Sequence, residues 1–207
     1  PAEPEPEPEA EAAPLPRQAN LSAWYAPDGI DVPGRVWVDK SGNGIGATLA
    51  GSTLSIVMDV GENGAEGFVR YLTGTRADSV VFGEAVSLIG AEFSICSLSR
   101  YTQSTAQNRI LRGTGIDWFH GHSLGTTGQA KYGIWTTDSM IPHVTPLTDW
   151  VIMCGANGMT ADTGVKLANF EDVTMALGGT GDTALQINGA KEIAEGSDFA
   201  VSEVIVW

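Results

Sequence analysis

Glycine-rich turns recur through residues 20–207 and separate apolar runs that are too short for ordinary helices. The chain holds 26 glycines. Pairs such as Asn63-Gly64, Asn157-Gly158 and Asn188-Gly189 combine two residue types that adopt positive φ at little cost. No stretch of ten residues repeats apolar positions at the three- and four-residue spacing of a helix. The pattern predicts many short strands joined by tight turns, as in a β-sandwich or a barrel.

Two apolar segments mark the centre of this predicted fold. Phe93–Leu98 and Trp150–Cys154 are apolar at nearly every position, which is typical of strands covered on both faces. Between the turns we predict strands near residues 21–26, 35–39, 45–50, 53–58, 67–72, 79–82, 91–101, 108–112, 116–120, 131–137, 149–155, 172–177, 184–188 and 199–207.

Residues 1–19 differ from the rest of the chain in composition. They hold six of the ten prolines and five glutamates, with Arg17 as the one basic residue. Alternating proline and glutamate favours an extended, polyproline II-like conformation. We therefore predict an acidic linker arm over residues 1–19 and one folded domain over residues 20–207. The alternative is an arm that docks onto neighbouring subunits.

Charge and hydropathy exclude two classes of partner. Acidic residues outnumber basic ones 25 to 11, the net charge is −14, and lysine and arginine form no cluster in the sequence. Such a chain repels a phosphate backbone, so we predict that it does not bind nucleic acid. No apolar run approaches the roughly 18 residues of a membrane helix, so no membrane span is predicted.

Both ends of the predicted domain resemble known strands. Leu21–Tyr25 followed by Trp37–Gly44 (WVDKSGNG) is similar to the opening of LamG-like domains of the concanavalin A-like superfamily, and Phe199–Trp207 (FAVSEVIVW) is similar to their final strand. The resemblance covers roughly residues 21–207. It implies an all-β, two-sheet antiparallel jelly-roll sandwich in which the last strand returns beside the first.

The two cysteines extend this resemblance. Cys96 and Cys154 lie in segments similar to two adjacent pentraxin strands that carry that family's single disulfide. The resemblance therefore implies a Cys96–Cys154 bond and, with it, an oxidising extracellular or cell-surface location. Two buried free thiols are the alternative, because cysteine also packs as a small apolar residue.

Motifs of catalysis and cofactor binding are weak. Gly121–Gly125 (GHSLG) matches the G-x-S-x-G pattern of hydrolases, but the residues that follow do not start a helix. The paired carboxylates of related glucanases are absent, and Glu195, Asp198 and Glu203 do not share one strand face. No loop matches the calcium-binding pattern of pentraxins. We predict no enzyme activity, no cofactor and no bound metal.

Four residues are candidates for ligand binding: Trp118, His120, His122 and Trp135. Aromatic rings can stack on the C–H face of a sugar, and the loops around 113–130 and 157–170 are the expected binding regions. His120 and His122, with Asp117, could also gather around a metal, although loop histidines beside a glycine-rich turn are the simpler interpretation. Asn20 begins an Asn-Leu-Ser sequon and is a possible glycosylation site.

These observations support two functional hypotheses. The first is a non-catalytic extracellular binding or adhesion module that recognises a glycan or a surface protein. The second is a structural subunit of a larger extracellular or surface assembly, tethered to neighbouring subunits through its Pro/Glu arm.

Overall fold

A computed structural model describes residues 20–83, 87–158, 164–179, 182–189 and 195–207. The predicted arm, residues 1–19, lies outside the described residues. The strands are β1 (Ala23–Tyr25), β2 (Ile30–Asp31), β3 (Val36–Trp37), β4 (Ala47–Ala50), β5 (Ser55–Val60), β6 (Phe68–Gly74), β7 (Ser79–Phe82), β8 (Phe93–Tyr101), β9 (Leu111–Gly113), β10 (Trp118–Ser123), β11 (Thr126–Tyr132), β12 (Ile134–Trp135), β13 (Val151–Asn157), β14 (Lys166–Ala168), β15 (Glu171–Asp172), β16 (Leu185–Ile187) and β17 (Phe199–Val206). A 3-10 turn lies at Pro27–Gly29, and no described helix has the length and apolarity to cross a membrane.

The strands form two antiparallel sheets that stack face to face. Sheet A has the order β15-β14-β13-β8-β17-β6-β5, with β1 also paired to β17. Sheet B has the order β12-β11-β10-β9-β16-β7-β4-β3-β2. This confirms the predicted all-β, two-sheet antiparallel sandwich. The first and last strands are adjacent, with Tyr25 opposite Val204.

The core fills the space between the two inner faces. Sheet A contributes residues such as Ile95 and Met153, and sheet B contributes Trp37, Phe82 and Trp118, all of them buried. Successive side chains of a strand point to opposite faces, so burial alternates along most strands. Burial of these large apolar side chains is the main stabilising contribution to the fold.

The two central apolar segments, Phe93–Leu98 and Trp150–Cys154, are less buried than predicted. Along β8 and β13 the outward positions, including Leu98 and Ile152, are half-buried rather than buried. The outer face of sheet A carries these apolar side chains with partial cover from neighbouring residues. Complete cover on both faces was therefore predicted wrongly, because an apolar run does not itself show what lies above a sheet.

The disulfide implied by the resemblance is present. Cys96 lies directly opposite Cys154 on the adjacent strands β8 and β13, and their sulfurs are bonded at 2.12 Å. Both cysteines are half-buried on the outer face of sheet A. The bond ties together two central strands that are 58 residues apart in sequence.

The Trp37–Gly44 segment is held by one carboxylate. Asp39 Oδ1 accepts hydrogen bonds from the backbone N–H groups of Trp24 and Ser41, each at 2.9 Å, and Oδ2 accepts one from Ile45 at 3.0 Å. Burial raises the pKa of Asp39, but the hydrogen bonds from these N–H groups outweigh burial and leave the pKa below its usual value. The motif thus fastens the turn before β4 to strand β1.

Replacing this carboxylate destabilises the fold. We expect Asp39→Ala to lower the free energy of unfolding by roughly 2 kcal/mol, because it leaves several N–H groups without their charged acceptor. Urea unfolding at pH 7 measures the change. Asp138→Ala is the matched control, since Asp138 accepts one exposed backbone bond, from Met140. Equal effects of the two substitutions would contradict the role given to Asp39.

Candidate functional site

A row of side chains crosses the outer face of sheet B. Phe119 on β10 lies opposite Arg112 on β9 and opposite Lys131 on β11, and Lys131 lies opposite Trp135 on β12. Residues that are directly opposite in adjacent strands share one face of the sheet. Since Trp118, the neighbour of Phe119, packs into the core, this row faces outward.

An aromatic corner forms at the β12 end of the row. Trp135 packs edge-on against Phe119 with ring centroids 5.2 Å apart. The Arg109 guanidinium lies 5.0 Å from the Phe119 centroid, and Lys131 Nζ lies 5.5 Å from the Trp135 centroid. Phe119 is fully buried beneath these groups, whereas Trp135 keeps 36% of its surface exposed. Trp135 is therefore the aromatic ring that a ligand could contact.

Charged groups surround this corner in a connected network. Asp117 pairs with Arg109 at 2.8 Å and with Lys131, while Glu195 lies 3.5 Å from Arg109 and 3.2 Å from Arg112. We call the whole set the Trp135 face: Arg109, Arg112, Asp117, Phe119, Lys131, Trp135 and Glu195. The face brings together three cations and two carboxylates.

Asp117 is ionised in this network. Partial burial raises its pKa, but the hydrogen bond from Lys131 and the charges of Arg109 and Lys131 outweigh burial, so the pKa lies below its usual value. A carboxyl group that is held ionised accepts hydrogen bonds and orients cations; it does not deliver a proton near neutral pH. Asp117 is thus suited to positioning Lys131 and Arg109.

The arrangement combines two kinds of ligand contact. The exposed ring of Trp135 offers a flat apolar surface to the C–H groups of a pyranose. Lys131 and Arg109 offer positive charge beside it, which suits a carboxylate or sulfate substituent. An acidic sugar would find both contacts within one patch.

Three of the four predicted ligand residues lie elsewhere. Trp118 is 1% exposed, and His120 and His122 are fully buried. They point from β10 into the space between the sheets, so the prediction that they contact a ligand at the surface is wrong. Trp135 alone of the four is exposed, and its role as a ligand contact stays a prediction.

The two histidines are part of the core. His120 Nδ1 lies 2.8 Å from Tyr132 Oη and its Nε2 lies 3.0 Å from the Met153 carbonyl oxygen. Burial lowers the pKa of His120 to about 4. Burial, together with the nearby His120, lowers the pKa of His122 to about 3. Both rings are therefore neutral near pH 7 and serve packing.

The Gly121–Gly125 segment is a hairpin. It ends β10, and Leu124 and Gly125 adopt φ of 49° and 73° in the turn to β11, as a two-residue type I′ connection requires. Ser123 is 1% exposed. Residues 113–130 are thus mostly paired strand rather than a binding loop, and of the predicted loop 157–170 the residues 159–163 lie outside the described part of the chain.

Asn20 is accessible. It is exposed, with φ of 70°, three residues before the start of β1. Glycosylation there stays a prediction.

Most of the charged Trp135 face was missed by sequence analysis. Arg109, Arg112 and Lys131 are scattered singly, and Glu195 is far from them in sequence. One signal was present: Asp117, Phe119 and Lys131 alternate with core residues such as Trp118 and Tyr132, and alternation places them on the opposite face of their strands.

Comparisons with known proteins support the fold and identify no family. No protein-family model matches the sequence, and no curated protein matches it significantly. Trypanosoma rangeli sialidase in complex with sialic acid is similar with a TM-score of 0.60 at 13% identity, over 97% of this chain and 33% of the sialidase chain.

A structure of botulinum neurotoxin type C, whose cell entry depends on two ganglioside molecules, has a TM-score of 0.52 at 10% identity, over 92% of this chain and 48% of that chain. The chain thus spans between a third and a half of these two structures. At such identities the likeness shows a shared β-sandwich fold.

Proposed function

We propose that this chain is a non-catalytic extracellular module, of concanavalin A-like type, that binds a carboxylate-bearing sugar on the Trp135 face. The observation that carries the proposal is the partly exposed Trp135 ring beside the Lys131 ammonium. The disulfide is compatible with an oxidising extracellular compartment. Asp117 and Glu195 pair with the cations of the face and hold them in place around the ring.

The choice of an acidic sugar rests on charge. Arg109, Arg112 and Lys131 gather on the Trp135 face of a chain whose net charge is −14, so an anion would be drawn to this face rather than to the acidic remainder of the chain. Two proteins that share the fold have acidic glycan ligands, namely sialic acid and ganglioside. We therefore expect a charged sugar to bind more tightly than its neutral counterpart, and binding to weaken as salt screens the attraction.

Removal of the exposed ring is the first test. We expect Trp135→Ala to weaken binding of sialyllactose by about tenfold, equivalent to about 1.4 kcal/mol, because the sugar loses its apolar stacking surface. Isothermal titration calorimetry measures the change. Ile134→Ala is the matched control, because Ile134 lies on the same strand, is 52% exposed and points to the other face.

Sialyllactose carries an acidic sugar that lactose lacks. Comparing the affinities of the two ligands therefore distinguishes the contribution of charge from that of stacking on Trp135. Lys131→Gln should reduce the preference for sialyllactose over lactose, since it removes the ammonium beside Trp135. Equal binding of both sugars by the unsubstituted protein would contradict the acidic specificity. No glycan binding at all would contradict the proposed function.

A further inference from the structure

Strand β5 is an edge of sheet A. Within the described part of the chain, β6 is its single neighbour. The two strands pair without a bulge from Ser55 opposite Thr73 to Val60 opposite Phe68. The other side of β5 therefore presents backbone N–H and C=O groups along its whole length, and an edge of this kind accepts another strand.

The turn after β5 shows which residues present these groups. The Gly61 N–H donates to the Gly67 carbonyl at 3.2 Å, which fixes this pair as a hydrogen-bonded one. Hydrogen-bonded and non-hydrogen-bonded pairs alternate along an antiparallel ladder. The backbone groups of Ile56, Met58 and Val60 therefore point away from β6, toward the free side.

The same three residues have exposed apolar side chains. Ile56 is 36% exposed, Met58 62% and Val60 56%, and Phe68, opposite Val60, is 75% exposed. Exposed edge strands in monomeric proteins are usually protected by lysine, proline or a bulge. β5 has none of these devices.

Charge along β5 permits a second copy to approach. Its one charged residue is Asp59. The Asp59 carboxylate accepts a hydrogen bond from Tyr71 Oη at 2.6 Å and lies 3.3 Å from the Arg100 guanidinium. Although the chain has a net charge of −14, this edge carries no uncompensated charge, so two copies can meet here without like charges facing each other.

We propose that two copies of this chain associate through β5, antiparallel and about a two-fold axis, to form one continuous sheet. The axis passes through Met58, which lies opposite the partner's Met58, while Ile56 lies opposite the partner's Val60. This register pairs the three residues whose backbone groups point to the free side of β5 with the same three residues of the partner. Each such pair exchanges two N–H···O bonds. Shifting the register by two residues leaves either Val60 or Ile56, depending on the direction of the shift, without a counterpart in the strand.

A second copy fits this edge better than the chain's own arm. The arm, residues 1–19, carries five glutamates and one basic residue, and β5 has no basic residue to attract them. A copy of β5, by contrast, supplies the same donors, acceptors and apolar side chains that the edge itself presents, as an isologous interface requires.

Cross-linking tests the register. In a hydrogen-bonded pair the two Cα atoms lie about 5.5 Å apart, within the range of about 4.4–6.8 Å that a disulfide spans. Met58→Cys should therefore give a covalent dimer under oxidising conditions, and Met140→Cys, at a position 82% exposed elsewhere on the surface, should not. A dimer formed instead by Val57→Cys would overturn the register.

Molar mass tests the association itself. Light scattering across a hundredfold concentration series should show the unsubstituted protein rising to twice 21.7 kDa. Met58→Lys should remain at the monomer mass with an unchanged unfolding temperature, whereas Met140→Lys should still dimerise. A monomer at every concentration, or a dimer that survives Met58→Lys, would overturn the proposal. Neither outcome bears on sugar binding, because Trp135 lies in sheet B.

Discussion

Acidification from pH 7 to pH 4.5 lowers the free energy of unfolding by about 5 kcal/mol, because two buried histidines resist protonation. The pKa values of His120 and His122 are about 4 and about 3 in the folded chain, against about 6.5 when unfolded. Protons therefore bind preferentially to the unfolded chain, and stability falls as the pH drops below 6.5. Between pH 7 and pH 4.5 each histidine accounts for about 2.5 kcal/mol of the loss.

Urea unfolding between pH 7 and pH 4.5 measures this loss. Aspartates such as Asp39 and Asp117, whose pKa values are lowered in the folded chain, lose their stabilising contribution mainly below about pH 4, as the pH falls through the pKa of an unfolded carboxyl. Most of the loss between pH 7 and pH 4.5 therefore comes from the histidines. His122→Leu should remove about half of the pH dependence, since His122 Nε2 has no hydrogen-bond partner among the described residues and a leucine fills a similar volume. A loss of stability that is unchanged in this variant would contradict the assignment.

Removal of the Cys96–Cys154 bond costs about 4 kcal/mol of stability. The bond closes a segment of 58 residues, and a cross-link over that length restricts the unfolded chain by about this free energy in the chain-entropy model. Cys96→Ala combined with Cys154→Ala, compared with the unsubstituted protein in urea at pH 7, measures the loss.

Reduction provides the control for that experiment. With a thiol reductant present, the unsubstituted protein should unfold close to the doubly substituted one, and the doubly substituted protein should be insensitive to the reductant. Coincident unfolding curves of the oxidised and reduced proteins would contradict the expected contribution of the bond.

Local chemistry made the sandwich predictable. Turn pairs such as Asn63-Gly64 adopt positive φ where a hairpin needs it, and both residues do so here. The short apolar runs between such turns, without helical spacing, indicated strands for the rest of the domain. The disulfide required the family resemblance, since the spacing of two cysteines alone does not reveal which strands are adjacent.

The ligand residues were harder to predict because both faces of β10 carry aromatic side chains. Trp118 and His120 share one face, and Phe119 lies on the other. Sequence alone does not show which face is covered by the second sheet, and the covered face is the one with Trp118 and His120. The glycine-rich turn beside the histidines favours a surface position in the sequence, whereas the fold buries both rings.

The charged part of the Trp135 face depends on tertiary structure. Arg109 and Glu195 are adjacent because the Arg109 N–H donates to the Glu195 carbonyl at 3.2 Å and their side chains then pair. Nothing local connects two residues so far apart in the chain. The network forms because the fold places Glu195, which precedes β17, beside Arg109 and Arg112.

The most direct measurement is a nuclear magnetic resonance titration of the tryptophan indole N–H signals with sialyllactose. The chain has six tryptophans, and Trp135→Phe identifies the signal of Trp135 by its disappearance. We predict that sialyllactose shifts this signal in a saturable way and leaves that of the buried Trp37 in place. A Trp135 signal that does not move while sialyllactose binds elsewhere, or does not bind, would contradict the proposed role of the Trp135 face.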